Sequence, residues 1–333
     1  MRDIILNQHQ QILHSLEVNK NVRVEGSFDE IIVSGMGGSA LPGELLSALE
    51  LATIPLRVHR DYGLPHITGK KPLIIVSTYS GNTEESLSAY QAARQAGYAL
   101  LANTAGGKIE EWSTRDGVPV AKIDFPGMQP RHTLLASFTG LAMALSNSGL
   151  TRALNDELTT ATETLKSAIA SIEAPAKQLA KKLAGAIPVY IAAHPLSFAA
   201  RNLKIQTNEN AKAPAFWNEL PEMNHNEMVG FTELAAHFKQ SPPPFHAVFL
   251  RSSDDHPRTS ARMDITADLY AEWGVPVSTF EIKGATVMDK LFYAAVAGLW
   301  TTYFLAEAAH IDPVPVAGVE NFKKKLEQTA GSV

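Results

Sequence analysis

The chain repeats one device between residues 31 and 147: a short, wholly apolar run opens into a helical pattern. Ile31-Ile32-Val33 is followed by a helical pattern over 40–51, and the run at 73–76 by one over 83–95. Runs at 55–58, 99–102 and 118–123 read as further strands, and 133–147 as a further helix. Strands without polar alternation are buried on both faces, the habit of parallel sheets covered by helices. Strands alternating with helices read as βαβ units. A second series follows: strands at 187–192, 247–250 and 277–282 precede helices at 196–212, 259–273 and 287–309, with a last amphipathic helix at 319–328. The Ala/Thr/Lys-rich stretch 157–185 reads as a helical bridge, broken near Pro175. The expected fold is α/β, with two halves that are each a mainly parallel sheet flanked by helices in three layers. The expected boundary separates 1–152 from 153–333, and the halves show no close sequence repeat.

Composition narrows the function classes. At 333 residues the chain is long enough for two domains or one large α/β unit. It has no Cys, which excludes disulfides, iron–sulfur clusters, thiolate zinc sites and a thiol nucleophile. A formal net charge of -5 provides no basic stripe for nucleic acid. The one short basic run, Lys323-Lys324-Lys325, reads as a solvated helix face. The amphipathic N-terminal stretch lacks the apolar run and small-residue site of a secretory signal. The apolar stretch 291–306 falls short of the roughly 20 residues a membrane span needs, so a buried core helix is expected. The expectation is a cytoplasmic protein with no membrane or nucleic-acid partner.

Two loops bear on chemistry. The first strand runs into Ser34-Gly35-Met36-Gly37-Gly38-Ser39-Ala40 ahead of a helix, a loose match to a dinucleotide-binding fingerprint. Glycines let the backbone approach a phosphate, and the helix start offers N–H groups and a positive dipole end. On that reading Arg60 would serve a 2′-phosphate, with Asp61 late for a ribose. A tight strand-to-helix turn accounts for the loop equally well. The next strand ends in Ser77-Thr78-Tyr79-Ser80-Gly81-Asn82-Thr83-Glu84-Glu85. Thr78, Ser80 and Thr83 gather three hydroxyls at a helix start, whereas capping alone needs one or two. Two such loops in successive units favour a shared phosphate cradle built from Gly38, Ser39, Thr78, Ser80 and Thr83, with Gly37 a further contact.

Taken together, GMGGSA and STYSGNTEE resemble the sugar isomerase (SIS) domain. The block Asn208-Glu209-Asn210-Ala211-Lys212, followed by residues 215–227 (AFWNELPEMNHNE), is similar to the signature of bifunctional phosphoglucose/phosphomannose isomerases. The resemblance extends over nearly the whole chain, and the second block is its most specific part. It implies two SIS-type subdomains, an aldose–ketose isomerase acting on a phosphosugar, no cofactor, and a homodimer in which His225 enters the neighbouring subunit's site.

Isomerisation of a phosphosugar requires a phosphate anchor, ring opening, a base moving a proton between C1 and C2, and support for the enediolate. Glu209 is the expected base, since a carboxylate partly withdrawn from water grips a proton more tightly. A surface carboxylate paired with Lys204 or Lys212 is the structural alternative. His225 is the expected ring-opener, because imidazole shuttles protons near neutral pH. Arg131 matches the family arginine beside the enediolate, where a permanent forked cation suits adjacent oxygens. Lys323 aligns with a family lysine near the site, in a register that three consecutive lysines leave open. The sequence departs from the family at Asn210, where an apolar residue is usual, and in the variant loop Thr104-Ala105-Gly106-Gly107.

Other constellations fail. The 11 His show no close metal-ligand spacing, so no metal is expected. Residues 63–70 hold one residue too many for a phosphate-binding P-loop and lack its Ser/Thr, and no Gly-x-Ser-x-Gly elbow occurs. The rival readings are a non-catalytic phosphosugar-binding regulator and an NAD(P)-dependent dehydrogenase.

Overall fold

The computed structural model describes residues 1–238 and 244–329. By packing, the described residues form two compact units, one of 7–163 and 315–329 and the other of 1–6, 164–238 and 244–314. The sequence boundary at 152/153 lies just ahead of helix Asn155–Leu183, in which the first unit's chain ends and the second's begins.

The first unit holds strands β1 (Glu30–Ser34), β2 (Leu56–His59), β3 (Pro72–Thr78), β4 (Ala99–Thr104) and β5 (Val120–Lys122), all parallel, in the order β2-β1-β3-β4-β5. Every residue of β1 and β3 is buried, as the unalternating runs require. Helix Leu134–Asn147 packs with Gln8–Asn19 and Leu41–Ala48, while Glu84–Ala96 and Gly107–Asp116 pack with each other. Gly43 lets its helix approach β1, because a Cβ there would stand 2.8 Å from Val33 Cγ1.

The second unit holds β6 (Ile187–Ala193), β7 (Phe216–Leu220), β8 (Phe245–Arg251) and β9 (Val277–Glu281), parallel, in the order β7-β6-β8-β9. On one side Val189, Ile191, Ala193, Met223, Phe249, Met263 and Tyr270 form a single apolar cluster. Helices Ser197–Gln206 and Val287–Ala308 pack together, the latter opened by a reciprocal capping box between Thr286 and Asp289. That helix is buried along most of its length, in line with its apolar sequence. Among the described residues no helix is long and apolar enough to cross a membrane.

Two local expectations change, and two elements are added. Helix Asn155–Leu183 is not broken at Pro175 but runs through it. Proline costs a helix one bond and crowds a carbonyl, yet buried Ile172, Ala176, Leu179 and Leu183 hold both sides of the position in one packed stripe. Helix Gly107–Asp116 and strand β7 carry no sequence signal as elements, because the helix is largely polar and β7 (FWNEL) has neither an unbroken apolar run nor alternation. The expected helix over 196–212 ends its α-helical part at Gln206 and closes in a π-helical turn, Thr207–Ala211.

Candidate active site

In the first unit, three successive strand-to-helix loops interlock through backbone and hydroxyl groups. The Tyr79 N–H donates to Ser39 Oγ at 3.0 Å, and the Ser77 hydroxyl donates to the Ser39 carbonyl at 2.7 Å. With its oxygen accepting, the Ser39 hydroxyl keeps a proton to donate. Gly35 has to be glycine, because a Cβ would meet Ser77 O at 2.7 Å; Gly37 takes a left-handed φ of 53°. The second loop joins the third where Ala105 N–H donates to Tyr79 O and Ile109 N–H to Gly81 O, both at 3.1 Å. The variant loop 104–107 thus belongs to the same construction.

Thr83 stands at the N-cap of helix Glu84–Ala96 with extended backbone, but its side chain makes no capping bond. Its hydroxyl meets that of buried Thr78 at 3.2 Å instead. Capping therefore does not explain this hydroxyl. The helical ladder begins with Leu87 N–H on the Thr83 carbonyl, so the N–H groups of residues 84–86 lie ahead of it. Ser80 is exposed beside them, its Oγ accepting from Asn82 N–H at 3.3 Å. Ser39, Thr78, Ser80 and Thr83 thus lie on two loops tied together at Tyr79 N–H and Ser39 Oγ, ahead of a helix start whose first N–H groups precede the ladder.

Arg131 sits in the short turn Pro130–His132, buried at 1% exposure, with Nη1 donating to Gln129 Oε1 at 3.4 Å. The turn rests on the first loop: a Cβ on Gly38 would come within 3.2 Å of the Arg131 backbone nitrogen and 3.1 Å of Pro130 Cβ. Arg131 and Gly38, distant in sequence, are neighbours in the fold. Arg60, the residue a 2′-phosphate would require, is ion-paired with Glu44. Lys323 is exposed on helix Ala317–Thr329.

In the second unit, Glu209 is half-buried within the π-helical turn, a form often found at functional sites. The turn is pinned from three sides. Tyr190 OH lies 2.9 Å from Thr207 Oγ1, Asn210 Nδ2 donates to Thr302 Oγ1 at 2.9 Å, and Lys212 Nζ donates to the Glu209 carbonyl at 2.7 Å. Asn210, the departure from the usual apolar residue, is thereby an internal brace. Burial pushes the Tyr190 phenol far up, so it serves as a neutral donor.

His225 ends the turn Glu222–His225 and is exposed, while its neighbours are engaged. Asn224 Nδ2 donates to Thr266 Oγ1 at 2.9 Å, Asn226 Nδ2 to Glu222 Oε1 at 2.6 Å, and Asn218 Nδ2 to Glu227 Oε2 at 2.8 Å. Burial pushes the Glu227 carboxyl up, against the Asn218 bond. Fully buried Met223 anchors this turn among Val189, Ile191 and Ala193. Tyr190, which holds the Glu209 turn, points to the opposite face of β6, since successive strand residues alternate. The structure therefore seats Glu209 and His225 on different faces of one sheet. No group of three or more His, Cys, Asp or Glu among the described residues is arranged to hold a metal ion.

Residues 172–326 match the family model described as the bacterial phospho-glucose isomerase C-terminal SIS domain. The chain is 35% identical to the bifunctional phosphoglucose/phosphomannose isomerase of Caldicellulosiruptor bescii, over 98% of this chain and 99% of that protein. It is 33% identical to the protein of the same name from Aquifex aeolicus, over 90% and 91%. In fold it is similar to the glucosamine-6-phosphate deaminase of Thermotoga maritima, with a TM-score of 0.69 at 12% identity over 94% of this chain and 95% of the other.

Proposed function

The chain belongs to the bifunctional phosphoglucose/phosphomannose isomerase family, and we propose that it is an aldose–ketose isomerase interconverting glucose and/or mannose 6-phosphate with fructose 6-phosphate. The observation that carries this reading is the seating of the Arg131 turn directly on the first hydroxyl loop at Gly38. One rigid support then holds both a phosphate anchor and a permanent cation.

Ser39, Thr78, Ser80 and Thr83, with the N–H groups around Gly37 and Gly38, hold the phosphate. His225 opens the ring by moving a proton between the ring oxygen and O1. Glu209 takes the proton from C2 of the aldose and returns it to C1, passing through a cis-enediolate. Arg131 stabilises the negative oxygens of that intermediate. The chemistry needs no redox partner, since the carbon that is reduced and the carbon that is oxidised lie in the same molecule. Lys323 is proposed as a further substrate contact.

We also propose a homodimer in which His225 serves the neighbouring copy's site. The anchoring of Glu209 and His225 on opposite sheet faces supports this arrangement. The proposed location is the cytoplasm. A coupled assay for fructose 6-phosphate from each aldose phosphate, run with a chelator and without nucleotide, tests the activity. Turnover of either aldose is expected; turnover of neither would favour a binding protein. An obligatory requirement for NAD(P) would favour the dehydrogenase.

A further inference from the structure

Tyr79 links four segments of the first unit. Its N–H donates to Ser39 Oγ at 3.0 Å in the first loop, and its carbonyl accepts from Ala105 N–H at 3.1 Å in the third. Its phenol reaches away from both, donating to the Phe125 carbonyl and accepting from the Met128 N–H at 2.9 Å. Residues 125–128 lead directly into the turn Pro130–His132, which the His132 N–H closes on the Gln129 carbonyl at 2.8 Å. The phenol thus grips the stem of the Arg131 turn, and Gly38 receives its tip. Burial pushes the phenol above its ordinary value, partly offset by the Met128 bond, so it stays protonated and can donate.

We propose that Tyr79 is a positioning residue for the isomerisation: its hydroxyl fixes the Arg131 turn against the phosphate loops, so that the guanidinium is in place when the enediolate forms. This rests on the role given to Arg131 above. The division of labour within Tyr79 makes it separable from phosphate binding. Its main chain braces the cradle and its side chain braces the cation. Removal of the hydroxyl leaves both main-chain bonds intact while stranding the Met128 N–H and the Phe125 carbonyl.

The test is Tyr79→Phe, which keeps the ring. KM for the aldose phosphate and affinity for a sugar-alcohol phosphate, which carries the phosphate but cannot isomerise, should stay within about twofold. The kcat should fall roughly ten- to a hundredfold, as a misplaced catalytic group does. Affinity for a planar hydroxamate phosphate resembling the enediolate should fall in parallel with kcat. In combination with Arg131→Lys, the two losses should be far from additive, because both act on one group. An unchanged kcat, a loss confined to KM and sugar-alcohol affinity, or additive losses would each overturn the proposal. If the parent protein isomerises no aldose phosphate, the isomerase reading fails instead. The contrast between hydroxamate and sugar-alcohol affinity then still judges Tyr79.

Discussion

Glu209 and His225 are anchored on opposite faces of one parallel sheet, the first through Thr207 against Tyr190 at 2.9 Å and the second through Met223 among Val189, Ile191 and Ala193. The two belong to a single contiguous sequence block, yet β7 and the alternation of β6 send them to different sides. Within one copy the two turns therefore stand on different sides of the sheet. In the homodimer proposed above, a second copy would bring them together, since in a twofold pair each copy lends the same surface to the other.

Two inactive variants should therefore repair each other. Glu209→Gln should lose roughly a thousandfold in turnover while still binding phosphosugar, as removal of a general base does. His225→Ala should also be severely impaired. Mixed under conditions that exchange subunits, equal amounts of the two should recover about a quarter of the parent activity, because half the pairs are mixed and each mixed pair has one intact site. Steady-state assay of the mixture reads this directly. No recovery despite demonstrated subunit exchange would place both groups within one copy.

The role of His225 in ring opening has its own signature. An imidazole that only opens the ring is dispensable once the substrate is open. An aldose phosphate that cannot close to a ring should restore much of the turnover of His225→Ala, while leaving Glu209→Gln inactive. Equal impairment on cyclic and open substrates would assign His225 to another step.

Thr83 tests the proposed phosphate cradle separately from the chemistry. Its hydroxyl pairs with Thr78 at 3.2 Å and makes no capping bond, so its loss leaves the helix start as it is. One hydrogen bond to a charged group contributes about 1.5–3 kcal/mol, so Thr83→Ala should raise KM roughly ten- to a hundredfold. The kcat should change little, because the contact is the same in ground and transition states. A fall in kcat at constant KM would contradict the cradle.

Much of this was legible in the sequence for physical reasons. β1 and β3 announce themselves because burial on both faces leaves no room for polar residues. The first loop announces itself because close backbone approach demands glycine, as at Gly35 against the Ser77 carbonyl. What stayed hidden depends on contacts between distant residues. β7 is an edge strand reading FWNEL, with Phe216 exposed and only Leu220 buried, and it has no pattern until β6 pairs with it. The π-helical turn at Glu209 continues a helical sequence without any local mark; its cause lies in Tyr190 and Thr302. Likewise Gly38 and Arg131 are far apart in sequence, and their contact needs the fold.

Gly81 tests the interlocking of the loops. It adopts a φ of 69°, and a Cβ there would stand 1.7 Å from the Gly106 carbonyl oxygen. That neighbour is backbone, so no rotamer change relieves the clash. Gly81→Ala should lower stability by at least about 2–3 kcal/mol and separate the second loop from the third. Gly149→Ala is the control, since its φ of 70° is similar but a Cβ there would meet nothing within 4 Å. Denaturant titration of both distinguishes contact from backbone strain; equal losses would mean that the loops do not interlock.

Asp116 gives a stability effect with a definite pH sign. Arg115 forks onto its carboxylate at 2.7 and 3.0 Å, the Tyr90 hydroxyl donates at 3.0 Å, and Arg94 lies at 3.2 Å. The Arg115 bonds lead in holding its pKa down to about 2 against an ordinary 3.8, while burial acts the other way. The unfolded chain therefore binds this proton more readily than the folded one. The stabilisation is complete above pH 3.8 and is lost as pH falls from there through about 2. Asp116→Asn retains an acceptor for Tyr90 but removes the charge. The variant should be less stable than the parent at neutral pH, with the gap narrowing steadily as the pH is lowered across that window. Denaturant midpoints for both proteins over a pH series measure the gap while cancelling the other carboxylates they share. A gap of constant size down to pH about 2 would show that the site stabilises by shape and neutral hydrogen bonds rather than by its charge.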